Sequence, residues 1–254
     1  MTLFMSRLDP DPGRVARWGA ERGLAPPGAD PGYLWHALLT EAFGPLAPKP
    51  WRLVERVGRP PHLLGYGGAE EAALRERAAL HADPTAVAAL GVERLAVKAM
   101  PAAFRVGQRL GFEVRVRPVV RSSVRLDGSG QRGGRDHRVE IDAALHAALA
   151  GDPHAPAPDP DAVYKAWLRD GLAAGGAEAD AASLKLLWRR RAAIQRRDAT
   201  RKLALVGAKG GGPDIAIGGV LEVADPDAFA ALLARGIGRH RAFGFGMLLL
   251  KPAG

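Results

Sequence analysis

Tyr33 and His36 are the two side chains of this sequence best suited to moving a proton. They stand three residues apart, and on a helix that spacing makes them neighbours. At about 100° per residue, Leu34, Trp35, Leu38, Leu39, Ala42 and Phe43 fall on one apolar side, while Tyr33, His36 and Thr40 gather on the opposite edge. A phenol and an imidazole at the border of a buried face can share proton transfer, because an unperturbed histidine titrates near neutrality. Residue pattern alone favours an ordinary surface Tyr–His pair over a catalytic one. A second stretch, Gly236-Ile237-Gly238-Arg239-His240-Arg241-Ala242-Phe243-Gly244-Phe245-Gly246, sets four glycines, two arginines and a histidine within eleven residues. Glycine admits positive φ and close approach to a ligand, successive N–H groups form a concave anion site, and flanking arginines add bidentate phosphate contacts. The functional reading is a loop that grips a nucleic-acid backbone through Gly238, Arg239, His240, Arg241, Gly244 and Gly246. The plain reading is a glycine-rich turn between helix and strand. A dinucleotide fingerprint would open a helix after a strand, whereas this loop closes a helix and opens a strand.

The elements that must position these residues follow from turn and cap signals. Strand patterns over Thr2–Leu8, Trp51–Val57, His62–Tyr66 and Glu93–Met100 alternate with helical ones. Asp30-Pro31 predicts the start of the helix carrying Tyr33 and His36, with Asp as N-cap, and Gly44-Pro45 its end. Asp83-Pro84, Asp159-Pro160 and Asp225-Pro226 open three further helical segments, while Asp9-Pro10-Asp11-Pro12-Gly13 reads as a turn. The order strand, helix, strand, strand, helix, strand is the ferredoxin-like arrangement. The expected fold is α+β, two tandem ferredoxin-like (βαββαβ) domains over residues 1–104 and 105–254. In the second, Phe112, Val114 and Val116 alternate with Glu113, Arg115 and Arg117, Ser122–Arg138 reads as a loop, and Leu184–Arg197 and Arg201–Val206 read as strands, with a helix over Leu184–Gln195 as the alternative.

Charge points to the partner. Of the 254 residues 36 are Lys or Arg and 27 Asp or Glu, a formal net charge of +9. A polyanionic partner suits that balance, although a GC-rich genome raises arginine usage everywhere. Clustering separates the two: Leu184–Lys202 holds eight basic residues against one acid, and Arg105–Arg138 nine arginines against three. Arg189, Arg190, Arg191, Arg196, Arg197, Arg201 and Lys202 form a basic strip suited to phosphates, and Arg121 belongs to the second cluster. Cysteine is absent, and none of the seven histidines has metal-ligand spacing, so neither a metal nor another cofactor is expected. No apolar run approaches the ~20 residues of a membrane span, and no signal peptide is read at the N-terminus; the expectation is a cytoplasmic protein without membrane contact.

The glycine-rich stretch, Gly219-Val220-Leu221-Glu222-Val223 upstream of it, Tyr33-Leu34-Trp35-His36 and Val116-Arg117-Pro118 resemble, in order and spacing, the CRISPR repeat-processing endoribonucleases of the CasE type, which belong to the Cascade complex of type I-E systems. The resemblance implies metal-independent RNA cleavage: a 2′-hydroxyl attacks the adjacent phosphate, the 5′-oxygen leaves and a 2′,3′-cyclic phosphate remains. It makes Tyr33 and His36 the catalytic pair, the repeat stem-loop the ligand, and other subunits of a Cascade-type complex the partners. A-form RNA hides its bases in a deep major groove, so shape and backbone contacts would dominate. A hairpin-binding scaffold without catalysis would keep the basic strip and the loop but would not need His36. A small-molecule phosphate enzyme would bind no RNA salt-sensitively.

Overall fold

The computed structural model describes residues 2–24, 28–122, 139–152, 154–197, 203–206 and 211–253. The chain is a mixed α+β protein. Its first part runs β1 (Phe4–Leu8), α1 (Pro12–Ala20), β2 (Ala29–Asp30), α2 (Gly32–Phe43), β3 (Trp51–Arg56), β4 (Arg59–Gly67), α3 (Glu71–His81), α4 (Pro84–Leu90) and β5 (Ala96–Ala99). Four of these strands form an antiparallel sheet in the order β3-β4-β1-β5. The apolar side of α2 is buried as its spacing predicts, with Leu38, Leu39, Ala42 and Phe43 packed against Leu8, Leu63 and Leu90.

The second part continues β6 (Arg109–Val116), β7 (Val119–Ser122), β8 (Val139–Asp142), α5 (Ala143–Ala150), α6 (Pro160–Ala173), β9 (Ala177–Ala179), β10 (Lys185–Arg197), β11 (Leu203–Val206), β12 (Gly212–Val223), α7 (Pro226–Arg235) and β13 (Leu248–Pro252). Its main sheet has the order β11-β10-β12-β6-β13. Phe112, Val114 and Val116 of β6 alternate into a core with Ile215, Ile217, Leu168 and Phe229. The opposite face of β6 is covered too, contrary to the simple alternation. Arg117 is buried and donates to the Ala192 carbonyl at 2.9 Å.

The two sheets are tied directly. Tyr66 of β4 lies in the second core and donates its hydroxyl to the Leu248 carbonyl of β13 at 2.9 Å. The short β2 pairs in parallel with β10, Ala29 opposite Ala193 and Asp30 opposite Ile194. Asp30 is therefore a strand residue, not the N-cap its Asp-Pro step suggests, although its carboxylate does accept from the Gly32 N–H at 2.9 Å. Its other role is electrostatic: the Arg115 guanidinium lies between the carboxylates of Asp30 and Asp214, binding Asp214 at 2.7 and 2.8 Å. Arg190 adds a second cation on Asp214 at 2.8 Å.

Elsewhere the Asp-Pro rule holds at Asp83, Asp159 and Asp225, whose side chains cap α4, α6 and α7. It also holds at Asp11, which caps α1 where a plain turn was expected. The ribbon of β7 and β8 and helix α5 are additions to the expected order, since their pairing partners flank the glycine- and arginine-rich segment. Most of that expected loop, residues 123–138, lies outside the described residues, as do Arg201 and Lys202 of the basic strip.

Asp214 has no solvent exposure and faces two guanidinium groups. Removing one member of such a buried pair costs about 3–5 kcal/mol, because the remaining charges stay desolvated. Asp214→Ala should lower unfolding stability by that amount in urea titration; a loss below about 1 kcal/mol would show that the network does not hold β2 and β6 to β12.

Candidate active site where helix and glycine loop meet

Helix α2 begins at Gly32 because nothing larger fits there. A Cβ on Gly32 would overlap the Phe243 carbonyl oxygen and crowd the Asp30 carboxylate at 2.7 Å. One turn on, Tyr33 and His36 are half-buried on the edge away from the core, their ring centroids 6.2 Å apart. Phe243 of the glycine-rich loop caps both. Its ring lies 6.1 Å from Tyr33 and 5.4 Å, nearly perpendicular, from His36. The two motifs singled out in the sequence, some two hundred residues apart, thus form one site.

The loop is held from several sides. Trp51 of β3 donates its indole N–H to the Ala242 carbonyl at 3.0 Å. Gly246 donates to the Arg115 carbonyl at 2.7 Å, and Ile237 donates to the Gly246 carbonyl at 2.9 Å. Gly244 and Gly246 have φ of +83° and +80°. A Cβ on Gly244 would meet the Trp51 ring at 2.8 Å, one on Gly238 the Trp167 ring at 2.7 Å, and one on Gly246 the Ile237 carbonyl oxygen. The protein's own packing therefore requires glycine at these three positions.

The loop's polar residues face the β7–β8 ribbon. His240, itself at φ +59°, places Nε2 2.7 Å from Glu140, and Arg239 donates to the same carboxylate at 2.5 Å. The hydrogen bond from His240, with the Arg239 charge, pulls the Glu140 carboxyl down to about 2. Arg121 lies directly across the ribbon from Glu140 and is exposed. Arg241 donates to the Arg235 carbonyl at 2.9 Å, closing the end of α7.

A cavity of about 580 Å³ opens beside His36, lined also by Thr40, Lys49, Trp51 and Ala242. A second, of about 460 Å³, holds Lys49, Glu140, Arg239 and His240. Lys49 borders both. Its backbone is fixed by a hydrogen bond from its N–H to the Tyr66 carbonyl at 2.8 Å. Burial, and then the Lys49 ammonium, lower the His36 imidazole from its usual histidine value, which favours the neutral base. Sequence reasoning missed Lys49, since only the chain reversal before β3 brings it beside α2.

The arginine strip does not form one face. Successive strand residues point to opposite sides. Arg189 and Arg191 pair with Asp161 at 2.7 Å and Asp142 at 3.4 Å, near α6 and β8, whereas Arg190 points toward Asp214 and Asp30. Each is about half exposed, and none lines the His36 cavity. Arg196 and Arg197 lie where β10 pairs with β11. Among the described residues no cluster of three or more His, Asp or Glu could hold a metal ion.

The protein family described as CRISPR associated protein matches residues 3–252. The chain belongs to this family. No curated protein matches it in sequence. Among solved structures, the CRISPR-associated chain is similar to the CRISPR endoribonuclease Cse3 bound to a 19-nucleotide RNA, with TM-score 0.62 and 22% identity over 99% of this chain and 100% of that one. It is similar to Thermus thermophilus Cse3 bound to an RNA representing a pre-cleavage complex, with TM-score 0.59, 22% identity and coverage of 99% and 100%. The CRISPR-associated protein Cas6e of Escherichia coli K-12 gives TM-score 0.56 and 18% identity over 98% and 100%. At these identities the likeness is one of fold.

In this CRISPR-associated protein the loop glycines make a stability prediction. An L-residue in the left-handed region costs on the order of 1–2 kcal/mol, and overlap with neighbours adds to it. Gly246→Ala should lower the unfolding free energy measured in urea by at least that much; an unchanged value would mean that the loop glycines serve a ligand rather than the fold.

Proposed function

We propose that this protein is a metal-independent endoribonuclease that cleaves CRISPR precursor RNA at the repeat stem-loop and stays bound to the mature guide. The observation that carries the reading is the contact of Phe243 with both Tyr33 and His36, which seats the loop on the proton-transfer pair. His36, its charged form disfavoured by burial and by Lys49, acts as general base and takes the 2′-hydroxyl proton. The freed oxygen attacks the adjacent phosphorus, the bond to the 5′-oxygen breaks, and a 2′,3′-cyclic phosphate and a 5′-hydroxyl remain. Tyr33 supplies the proton to the leaving oxygen, or orients the phosphate while the proton that His36 has taken passes to that oxygen. Lys49, within the same cavity, stabilises the charge that builds on the phosphorane. DNA lacks the nucleophile, so the chemistry selects RNA.

The same reading assigns the fold to two tandem ferredoxin-like domains, 1–104 and 105–254. Each main sheet sets the strand that opens its unit between the strand before the unit's closing helical segment and the strand after it: β4-β1-β5 and β12-β6-β13. The RNA backbone would run over Arg121, Arg239 and Arg241 and over Arg189 and Arg191, which share one side of β10. Solved relatives of the same fold are described as bound to RNA, and one as a CRISPR RNA-guided surveillance complex before nicking, with TM-score 0.53 and 16% identity. Other subunits of such a complex are the proposed partners.

General acid–base catalysis contributes typically about 10²–10⁴-fold. His36→Ala should slow single-turnover cleavage of a repeat hairpin by that factor and leave hairpin affinity nearly intact. Wild-type cleavage by His36→Ala would instead favour a hairpin-binding subunit that does not use this site.

The lowered His36 pKa sets the pH profile. A base with a depressed pKa stays neutral further into acid, so the acidic limb of the rate profile should lie below the usual histidine value of about 6.5. Lys49→Met removes one cause of the depression and should move that limb upward, toward 6.5. A limb that stays put would remove Lys49 from the site's electrostatics.

A further inference from the structure

The active-site reading leaves unused the other side of α2. There a cleft of about 670 Å³ lies between the two sheets, with Trp35, Trp51, Arg52 and Arg56 on one wall and Trp188 and Arg190 on the other. Trp188 is 36% exposed, unusual for an indole on a central strand. The Arg190 guanidinium sits over its ring at 4.9 Å and holds it in place. Arg52 is 92% buried, being 8% exposed, and its Nη1 has no hydrogen-bond partner, although its Nη2 is held by Glu113. A buried guanidinium nitrogen without a partner costs free energy unless a ligand supplies an acceptor. Five arginines against three carboxylates line the cleft. An aromatic face beside cationic groups is the arrangement that takes an unpaired nucleotide, the base on the ring and the phosphate on the cations.

The position fits such a ligand. Trp51 lines both this cleft and the His36 cavity, so one indole separates the two. We infer that the cleft binds a single-stranded nucleotide flanking the cleaved hairpin, with its base stacked on Trp188 and its phosphate at Arg52. This inference rests on the proposed function for the identity of the strand, but the stacking site itself does not require cleavage.

The test uses the full chain and three probes: a repeat hairpin alone, the same hairpin with eight unpaired nucleotides on its 5′ or its 3′ side, and an unstructured oligoadenylate. Wild-type protein should bind at least one flanked hairpin more tightly than the bare one. Trp188→Ala should weaken that complex about 5- to 100-fold, the range for one base stacked on an aromatic side chain, and leave bare-hairpin affinity unchanged. Trp188→Phe should restore most of the loss. Equal weakening of bare and flanked hairpins, or none, overturns the inference, and the second result leaves the face to a protein partner. Should the wild type bind no hairpin at all, the proposed function falls, and oligoadenylate still decides the cleft. Quenching of tryptophan fluorescence in the wild type that is lost in Trp188→Ala supports it, and absence of quenching overturns it.

Discussion

Arg115 is where the segment leading into α2, the second sheet and the glycine loop are joined. Its guanidinium bridges Asp30 of β2 and Asp214 of β12 and lies over the Phe245 ring at 4.2 Å, while its carbonyl accepts the Gly246 N–H. Two fully buried carboxylates would be expensive to desolvate alone. With the guanidinium between them the charges are offset, but only in one geometry, because a planar fork must meet both acids at once. That geometry fixes where α2 starts relative to β6 and where the loop returns to β13. The meeting of Tyr33, His36 and Phe243 follows from it.

The site inherits its electrostatics from the same packing. His36 is half-buried under Phe243 and beside Lys49, and both features disfavour its charged form. Glu140 is held ionised by His240 and Arg239, so the loop's histidine is already committed to a carboxylate. The two histidines thus differ in role for reasons of neighbourhood: His36 faces a cavity, and His240 is hydrogen-bonded to Glu140.

Much of this was legible from residue order. The apolar stripe of α2, the exposed edge bearing Tyr33 and His36, and the helix starts at Asp83, Asp159 and Asp225 all follow from periodicity and capping. Asp30 was misread because an Asp-Pro step looks the same whether the carboxylate caps a helix or reaches across to an arginine 85 residues away. The loop glycines were ambiguous for a similar reason. A missing Cβ admits a phosphate or a tryptophan ring equally, and only the fold shows Trp51 and Trp167 in that space. The arginine run was counted as one strip, yet the two-residue period of a strand already divides Arg190 from Arg189 and Arg191. Lys49 gave no signal, since nothing local links it to α2.

The central claim is that this site breaks RNA by using the RNA's own 2′-hydroxyl. The direct measurement is end-group analysis of a repeat hairpin incubated with the protein in EDTA, beside an otherwise identical hairpin carrying one 2′-deoxy sugar just upstream of the scissile phosphate. The account predicts a 2′,3′-cyclic phosphate and a 5′-hydroxyl from the first RNA and an intact second RNA. Cleavage of the deoxy-substituted hairpin at the same bond, or a strict need for a divalent ion, would contradict it.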